Sequence, residues 1–455
     1  MKKLLLLLLV FTLSVEVNSQ NICFYPDTVL LDNYGQEEQG ICIADLNNDG
    51  KKDLVIKKAY NDTISVSLGN GMGSFGASIN YPFIGGLSVI ISADFNNDGN
   101  ADIAAISNDS TNIYILQGNG VGSFSNIKSV SCNAPPSSLI CNDFNNDGKI
   151  DLATSNVNAN NITVLLNNGV GSFSAPTNYP VFYAWPYYIL SADFNEDGNS
   201  DLVTLNYNHS GPPTINLFLG TGTGNFGAAV NFAIGGYYSG SYFTLSDLNN
   251  DNHVDIAVIG DSLYVLFGTG TGNFNYPKSF TTSNYPTSIN SADFNNDLNT
   301  DIAITNSSAI ISILLGTGTG SFSYAPNINI TDYPQSITCS DINGDGKADL
   351  ALTTYSTSAV HILLNCSNPN TNIVNSYSLT QEMQVDPNPV ISSLWLSLPD
   401  TIFDDNQVVF ITNVFGDIIK HYTVNKSTLQ IDVSDLSAGV YFIRVKRGIK
   451  KFIKQ

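Results

Sequence analysis

The chain repeats one short acidic segment seven times. The nine-residue copies read DLNNDGKKD, DFNNDGNAD, DFNNDGKID, DFNEDGNSD, DLNNDNHVD, DFNNDLNTD and DINGDGKAD, and they begin at Asp45, Asp94, Asp143, Asp193, Asp247, Asp293 and Asp341. Successive copies start 49, 49, 50, 54, 46 and 48 residues apart. A period of this length is typical of solenoids, arrays and propellers, because each copy is one supersecondary unit. The chain is therefore predicted to be a repeat protein with one acidic loop per unit.

Each acidic loop has the donor atoms that a hard cation prefers. Positions 1, 3, 5 and 9 carry Asp or Asn, and position 7 offers a backbone carbonyl. Ca²⁺ takes six to eight oxygens in a flexible cage, and this spacing differs from that of an EF-hand, which closes with Glu at position 12. The pattern predicts up to seven Ca²⁺ ions. Their ligands are expected to be Asp45, Asn47, Asp49, Lys51, Asp53, Asp94, Asn96, Asp98, Asn100, Asp102, Asp143, Asn145, Asp147, Lys149, Asp151, Asp193, Asn195, Asp197, Asn199, Asp201, Asp247, Asn249, Asp251, His253, Asp255, Asp293, Asn295, Asp297, Asn299, Asp301, Asp341, Asn343, Asp345, Lys347 and Asp349.

Position 6 separates the sixth loop from the others. It is Gly in five loops, Asn252 in the fifth loop and Leu298 in the sixth. A tight turn here favours left-handed backbone, which Gly and Asn tolerate but which costs Leu about 1 kcal/mol. The site that begins at Asp293 is therefore the weakest of the seven candidates.

The net charge excludes some classes of partner. The chain has 39 acidic and 18 basic residues, for a formal net charge of −21. Such a charge disfavours binding to nucleic acid and to anionic membranes. The seven loops contribute 21 aspartates at positions 1, 5 and 9, so much of this charge is concentrated where a cation is expected.

The N-terminus has the pattern of a signal peptide. Lys2 and Lys3 precede an apolar run over residues 4–13, and small residues end the segment at Ser19. This run is too short to span a membrane. Residues 1–19 are predicted to be removed on export, and no membrane span is expected in the remaining chain.

The residues between the loops predict four short strands per unit. A strand precedes each loop, a second begins at the last aspartate of the loop, as in DIAAIS, and a third is aliphatic, as in ISILLG. Six of the third strands lead into a Gly-rich turn closed by Phe, as in GTGTGSF, and a weaker fourth strand follows. Four strands in a unit of this length form the blade of a β-propeller. Residues 20–366 are thus predicted to form a seven-bladed β-propeller.

The combination of D-x-N-x-D-G-x-x-D loops with G-x-G-x-F turns resembles the FG-GAP and VCBS repeats of integrin α-subunit propellers and of many bacterial surface proteins. The resemblance covers all seven units and implies a calcium-binding propeller. It implies much less about function, because such propellers serve in adhesion, in recognition and as appendages of some enzymes.

The seventh unit is incomplete, and the N-terminal segment supplies what it lacks. This unit stops at Cys366 without a turn or a fourth strand, while residues 24–31 resemble an unattached strand that follows Cys23. We predict that this strand completes the seventh blade and that a Cys23–Cys366 disulfide joins the ends. The sequence leaves other pairings of the six cysteines open. Cys42, Cys141 and Cys339 lie in first strands and are expected to be buried thiols.

The C-terminus follows a different pattern. After a polar linker over residues 367–384, residues 385–455 alternate apolar and polar residues between turn signals, which predicts a small β-sandwich. The PNP segment, the N-x-x-G-D hairpin, the DLSAGVYF motif and the basic GIKKF tail resemble the type A C-terminal sorting domain of the Bacteroidetes type IX secretion system. This resemblance implies export to the surface of a Gram-negative outer membrane or beyond, with the type IX machinery as a partner.

Two functions remain open at the level of the sequence. Aromatic residues in two neighbouring loops that enter the blades, Tyr183, Trp185, Tyr187, Tyr237 and Tyr238, are candidates for binding a glycan or a protein ligand. They favour recognition or adhesion. The alternative is a polysaccharide-acting enzyme such as a lyase, although the four histidines have no spacing that suggests a catalytic triad or a transition-metal site.

Overall fold

The computed structural model describes residues 22–25, 28–31, 40–58, 63–83, 86–107, 110–181, 185–208, 211–236, 242–282, 285–355, 359–367, 384–398, 407–412, 418–424, 426–437, 439–445 and 448–454. The predicted signal peptide lies outside these residues. The chain divides into two compact units, Met1–Asn370 and Thr371–Gln455.

The first unit is built from repeated antiparallel sheets, which we number in chain order of their acidic loops. Sheet 7 includes the N-terminal strand β1 (Thr28–Leu31). Sheet 1 consists of β2 (Ile41–Ala44), β3 (Asp53–Lys58), β4 (Thr63–Ser67) and β5 (Ile79–Pro82). Sheet 2 consists of β6 (Leu87–Ala93), β7 (Asp102–Ser107), β8 (Asn112–Gly118) and β9 (Phe124–Ser131). Sheet 3 consists of β10 (Ser138–Asn142), β11 (Asp151–Asn156), β12 (Asn161–Leu165) and β13 (Thr177–Pro180). A short 3₁₀ turn, Val157–Ala159, joins β11 to β12.

The remaining sheets of this unit repeat the same order. Sheet 4 consists of β14 (Trp185–Ala192), β15 (Asp201–Tyr207), β16 (Thr214–Phe218) and β17 (Val230–Ala233), and sheet 5 of β18 (Phe243–Ser246), β19 (Asp255–Ile259), β20 (Leu263–Leu266) and β21 (Lys278–Phe280). Sheet 6 consists of β22 (Pro286–Ala292), β23 (Asp301–Asn306), β24 (Ile310–Gly316), β25 (Phe322–Tyr324) and β26 (Ile328–Asn329). Sheet 7 consists of β27 (Pro334–Ser340), β28 (Asp349–Thr354) and β29 (Ala359–Leu363), with β1 as its fourth strand.

Burial explains the composition of the strands. The second strand of sheets 1 to 7 is buried at every residue that the structure describes, apart from Tyr207 at the end of β15. A strand covered on both faces requires apolar or hydrogen-bonded residues throughout rather than an alternating pattern. The outermost strands β5, β13 and β17 are mostly exposed, which accounts for their weak signal in the sequence.

Apolar contacts between sheets connect the whole unit. Consecutive sheets share hydrophobic clusters, for example Val55, Ile64 and Ile103 between sheets 1 and 2. A further cluster joins sheet 7 to sheet 1 through Ile362, Val360 and Leu54. The series of sheets therefore closes on itself, and no first or last sheet is left without a neighbour.

The N-terminal strand completes sheet 7. Strand β1 pairs antiparallel with β29, with Thr28 opposite Ile362 and Leu31 opposite Ala359. Phe24 forms an additional bridge to Asn365. This pairing is the one predicted from the incomplete seventh unit. It covers the edge of β29, which would otherwise expose unpaired backbone groups.

The two cysteines at this junction are joined by a disulfide. Cys23 and Cys366 have their Cα atoms 4.9 Å apart and are separated by 343 residues of sequence. The Cys366 N–H also donates to the Cys23 carbonyl at 2.9 Å. The covalent bond therefore occupies the position where the other units have a strand-to-strand turn.

The second unit contains two small sheets. One is formed by β30 (Gln384–Asp386), β31 (Ser393–Ser397) and β34 (Thr428–Asp432), and the other by β33 (Ile418–Val424), β32 (Gln407–Thr412), β35 (Gly439–Val445) and β36 (Gly448–Lys454). Both sheets contribute to one hydrophobic core, with Leu394 and Ile431 from the first and Ile411, Ile443 and Phe452 from the second.

Candidate functional site

The acidic loops are shaped by their own first aspartate. In loop 1, Asp45 Oδ1 accepts the N–H groups of Asn47 at 3.3 Å and Asp49 at 3.2 Å, and Oδ2 accepts the N–H of Gly50 at 2.8 Å. Asp49 Oδ1 in turn accepts the Lys51 N–H at 3.0 Å. These contacts wind the loop tightly around the first carboxylate, so the loop geometry follows directly from the positions of the aspartates.

The sixth loop keeps this geometry without glycine. Leu298 N–H donates to Asp293 Oδ2 at 2.7 Å, as Gly50 does to Asp45. To do so Leu298 takes a φ of +70°, close to the +66° of Asn252 in loop 5. The loop is thus held in a left-handed conformation that is unfavourable for Leu.

The ninth aspartate has a structural role that the sequence analysis did not foresee. In every loop one of its carboxylate oxygens accepts the N–H of position 2, as Asp301 does from Phe294 at 2.9 Å. The other oxygen accepts an N–H at the end of the third strand, as from Gly316 at 2.8 Å. The same pair of bonds recurs at Asp53, Asp102, Asp151, Asp201, Asp255 and Asp349. The ninth aspartate therefore ties its loop to its own sheet.

Burial is the main cause of the raised pKa values of the ninth aspartates. It raises the pKa of Asp151, Asp201 and Asp255 to about 6 and that of Asp301 to about 7, against the opposing effect of the two donated N–H groups. The negative charges of the aspartates at positions 5 and 1 of each of these loops raise the pKa further. The carboxylates of one loop are therefore close enough to repel one another.

The donor set of each loop suits a hard cation only when amide and carbonyl oxygens are included. Among the residues that the structure describes, no three His, Cys, Asp or Glu side chains converge closely enough to hold a metal ion by themselves. Ca²⁺ accepts mixed carboxylate, amide and carbonyl oxygens. The amide oxygen of position 3 and the backbone carbonyl of position 7 would therefore have to complete the cage that the aspartates begin. The aspartate at position 9 would have to bind the ion while still accepting its two backbone N–H groups.

Neighbouring loops also contact one another, through positions 4 and 7. Where position 7 is Asn, position 4 of the preceding loop donates to it at 2.8 Å, as in Asn48–Asn100, Asn146–Asn199 and Asn250–Asn299. In loop 5 the residue is His253, which pairs with Glu196 of loop 4, and this hydrogen bond raises the pKa of His253. Where position 7 is Lys, it pairs with position 5 of its own loop, as in Lys51–Asp49, Lys149–Asp147 and Lys347–Asp345.

The Gly-rich turns dock on the loop of the preceding sheet. Gly224 N–H donates to the Phe144 carbonyl at 3.0 Å, and Gly272 N–H donates to the Phe194 carbonyl at 2.9 Å. In sheet 7, which lacks the turn, the Asn365 side chain makes the equivalent bond to Phe294 at 2.9 Å. Loops and turns thus form one continuous surface, which we call the loop face.

The opposite ends of the sheets, where the first strands begin, form the rim face. Two of the predicted ligand-binding residues are described there: Trp185 and Tyr187 are 38% and 37% exposed. Trp185 stacks on Tyr207 with ring centroids 5.8 Å apart, and Tyr187 meets the edge of the same ring at 6.4 Å. These three rings form one aromatic cluster. Tyr183, Tyr237 and Tyr238 lie outside the described residues.

Further exposed aromatic residues on the rim face were missed in the sequence analysis. Tyr285, Tyr333 and Tyr355 are 70%, 50% and 46% exposed. Tyr285 and Tyr333 directly precede the prolines that begin β22 and β27, as Trp185 precedes Pro186 in β14. The signal that identifies Tyr285 and Tyr333 is an aromatic–proline pair at the start of a first strand, since proline cannot donate a ladder hydrogen bond and is placed at strand starts. Tyr355, which follows β28, carries no such signal.

The first strands of sheets 1 to 7 surround a central cavity of about 290 Å³. It extends from the starts of these strands, near the rim face, past their midpoints, where Ile91 and Leu190 line it. Its wall includes Tyr188 and Tyr242, whose ring centroids are 4.8 Å apart, and the serines Ser138, Ser288 and Ser336. Neither Tyr188 nor this cavity was predicted above as a binding site.

Four cysteines outside the disulfide are free thiols. Burial raises the pKa of Cys42 to about 12 and that of Cys132, Cys141 and Cys339 to about 11. They are therefore protonated and unreactive near neutral pH, because the thiolate is the reactive form.

The architecture is that of an all-β protein with propeller-like repeated sheets. The profile of the FG-GAP-like repeat matches six overlapping stretches, residues 45–105, 94–154, 143–204, 193–258, 247–304 and 293–352, which together cover more than half of the sequence. The chain belongs to the FG-GAP-like repeat family. Residues 384–455 match the secretion system C-terminal sorting domain. This domain marks the chain for type IX secretion to the cell surface or the extracellular space.

Solved structures similar to this chain are β-propellers. The crystal structure of BBS1N in complex with ARL6DN, soaked with lead, has a TM-score of 0.55 and 13% sequence identity, over 76% of this chain and 98% of that one. A lectin of Agrocybe aegerita, whose structure describes specific recognition of non-reducing terminal N-acetylglucosamine, has a TM-score of 0.50 and 16% identity, over 73% and 86%. At these identities the likeness concerns the fold alone. No curated protein sequence matches the chain.

None of the described residues forms a helix long and apolar enough to cross a membrane.

Proposed function

We propose that the protein is a seven-bladed, calcium-binding β-propeller that recognises or adheres to an extracellular ligand, with a small C-terminal β-sandwich as its sorting domain. The count of seven blades is supported by the seven sheets and by the apolar cluster that joins sheet 7 to sheet 1. The β-sandwich is supported by the hydrophobic core that the two C-terminal sheets share.

Calcium is proposed on the basis of the charge and shape of the loops. Several aspartates of one loop lie close enough to repel one another: the pKa of Asp255 is raised mainly by burial and further by the negative charges of Asp251 and Asp247. A divalent cation would remove that repulsion. Asp at positions 1, 5 and 9, Asn at position 3 and the carbonyl of position 7 would hold the ion, up to seven ions in all. The loop face would then be rigid and nearly neutral.

Ligand recognition is proposed for the rim face. The observation that carries it is the exposure of aromatic rings there, Trp185, Tyr187, Tyr285, Tyr333 and Tyr355, on a rigid ring of sheets. Exposed aromatic side chains lose little conformational entropy on binding and are the usual anchors of glycan and protein ligands. Tyr183, Tyr237 and Tyr238 are proposed as part of the same surface. The lectin among the structural neighbours indicates that such a fold is compatible with sugar recognition.

A polysaccharide lyase remains the alternative, but it finds no support in the central cavity. Among the residues that the structure describes, those that line the cavity include no Asp, Glu, Lys, Arg or His. A lyase needs a base and a charge-stabilising group at the reacting carbon. Tyr188 and Tyr242 could supply a base, but none of the described lining residues is a cation that could stabilise the developing charge, which favours binding over catalysis.

The test is to present the secreted full-length protein to glycan arrays and immobilised extracellular proteins, with calcium and with EDTA, and to assay polysaccharides for cleavage. We expect binding in calcium, at least tenfold weaker binding in EDTA, and no cleavage product. Trp185→Ala and Tyr285→Ala should each weaken binding. Polysaccharide cleavage would contradict the proposal, as would a wild-type protein that binds neither class of ligand.

A further inference from the structure

The central cavity is shaped by irregularities in four first strands. The pairing of first and second strands shifts between Leu87 and Val89 in sheet 2, and the same shift occurs in sheets 4, 6 and 7. The residue that follows each shift, Val89, Tyr188, Ser288 or Ser336, lines the cavity. A β-bulge re-aims the side chain beside it and is frequent next to binding sites. The same backbone irregularity therefore shapes the cavity wall in four of the sheets.

The wall has two chemically distinct parts. Tyr188 and Tyr242 form an aromatic wall from neighbouring sheets 4 and 5. Ser288 and Ser336, from sheets 6 and 7, and Ser138 from sheet 3 add hydroxyl groups. Isoleucines of the same strands fill the spaces between them.

The hydroxyls have unused hydrogen-bonding capacity. Ser288 Oγ accepts the Ile337 N–H at 3.3 Å, which leaves its own proton available to donate. Ser138 and Ser336 make no side-chain hydrogen bond with any described residue, although both are more than nine-tenths buried. Neither oxygen is among the fully enclosed polar atoms that lack a partner, so both hydroxyls are open to the cavity, where a ligand or water can bond to them.

These features define the chemistry of a ligand. We expect a neutral ligand, since none of the described lining residues carries an ionised group. It must combine an apolar face for the two tyrosines with several hydroxyls for the serines. A volume of about 290 Å³ is at the lower end of the range for small-molecule sites, so only one ring fits.

We propose that the central cavity binds a single neutral sugar ring, either a free monosaccharide or the terminal residue of a glycan. One face of the ring stacks on Tyr188, the less buried ring of the Tyr188–Tyr242 pair, and its hydroxyls bond to Ser288, Ser336 and Ser138. This inference rests on the proposed recognition function and specifies its ligand. The rim aromatics would then contact the sugars that follow the terminal residue.

The repeats themselves supply the test variants. Sheet 2 has Val89 where sheets 6 and 7 have Ser288 and Ser336, so Ser288→Val with Ser336→Val removes two hydroxyls at a position where the fold already accepts valine. Ser129→Val, on the exposed outer strand β9, is the matched control. Calorimetry and saturation-transfer NMR on the full-length protein would measure binding of neutral methyl glycosides, free monosaccharides, uronic acids and short oligosaccharides.

We expect a neutral glycoside to bind the wild type and Ser129→Val equally, and the double variant at least tenfold more weakly. Uronic acids should not bind. Tighter binding of the methyl glycoside and the oligosaccharide than of the free sugar would identify the ligand as the terminal residue of a glycan. Tighter binding of the free sugar would identify it as a free monosaccharide. Glycan binding that is lost in Trp185→Ala but unchanged in the double variant would overturn the cavity inference and leave the rim proposal standing. Failure of every carbohydrate to bind would overturn the inference, while retained binding to an immobilised protein would preserve the proposed function.

Discussion

Leu298 shows how much one residue contributes to a loop whose shape the other residues impose. Its φ of +70° is required by the bond from its N–H to Asp293, and its side chain is exposed and contributes no packing. Leu298→Gly should remove a conformational cost of about 1 kcal/mol. Calcium affinity at this loop should then rise up to about fivefold, because tenfold corresponds to 1.4 kcal/mol. Isothermal titration of both proteins with calcium would measure it.

The reciprocal change is the control. Gly148 holds the same position in loop 3 with a φ of +79°, and a side chain added there would meet no neighbouring atom. Gly148→Leu should therefore weaken calcium binding through backbone strain alone. If Leu298→Gly changes neither the number of ions bound nor their affinity, the strain of Leu298 does not limit that site.

At the scale of the structural element, the end of the third strand is packed too closely for a side chain in most sheets. A Cβ added at Gly316 would overlap the carbonyl oxygen of Thr300 in the acidic loop of the same sheet. Gly316→Ala should therefore force the loop away from the strand and strain the bond from Gly316 N–H to Asp301. We expect a loss of about 1–3 kcal/mol in the free energy of unfolding, measured by denaturant titration.

Two variants separate this mechanism from a general effect of alanine. A Cβ added at Gly227 would make an ordinary contact 3.6 Å from the Leu219 carbonyl, so Gly227→Ala should change stability by less than about 0.5 kcal/mol. Gly316→Asn should cost less than Gly316→Ala. In sheet 7 the equivalent Asn365 donates its amide to the Ala348 and Phe294 carbonyls and so compensates for the displacement. Equal losses in all three variants would contradict the close-packing argument.

At the scale of the whole molecule, stability depends on the junction between the two ends of the first unit. The Cys23–Cys366 disulfide closes a segment of 343 residues in the unfolded chain. In the chain-entropy treatment such a bond contributes about 6 kcal/mol, less any strain. Replacing both cysteines by serine should lower the midpoint of chemical unfolding markedly, because strand β1 would then be held to β29 by backbone bonds and packing alone.

A reducing agent provides the control for the disulfide. It should lower the unfolding midpoint of the wild type and leave that of the double serine variant unchanged. Peptide mapping without reduction should recover Cys23 bonded to Cys366. Recovery of Cys23 as a free thiol, or bonded to another cysteine, would contradict the bridge.

Much of the architecture could be predicted from the sequence because its causes are local. The acidic loop, the apolar second strand and the G-x-G-x-F turn are each specified within about ten residues, and their repetition predicted the repeated sheets. The incomplete seventh unit predicted the pairing of β1 with β29. The family match and the sorting domain confirmed the recognition of both segments.

The rest depends on contacts between residues far apart in the sequence. The sequence predicted Asp301 to be a metal ligand but did not predict its bonds to Phe294 and Gly316, because that role depends on how the third strand returns to the loop. Likewise, Tyr188 and Ser336 lie almost 150 residues apart and meet only because the series of sheets closes on itself. Local turn and strand preferences determined the repeated unit, whereas packing between sheets decided which side chains face the central cavity.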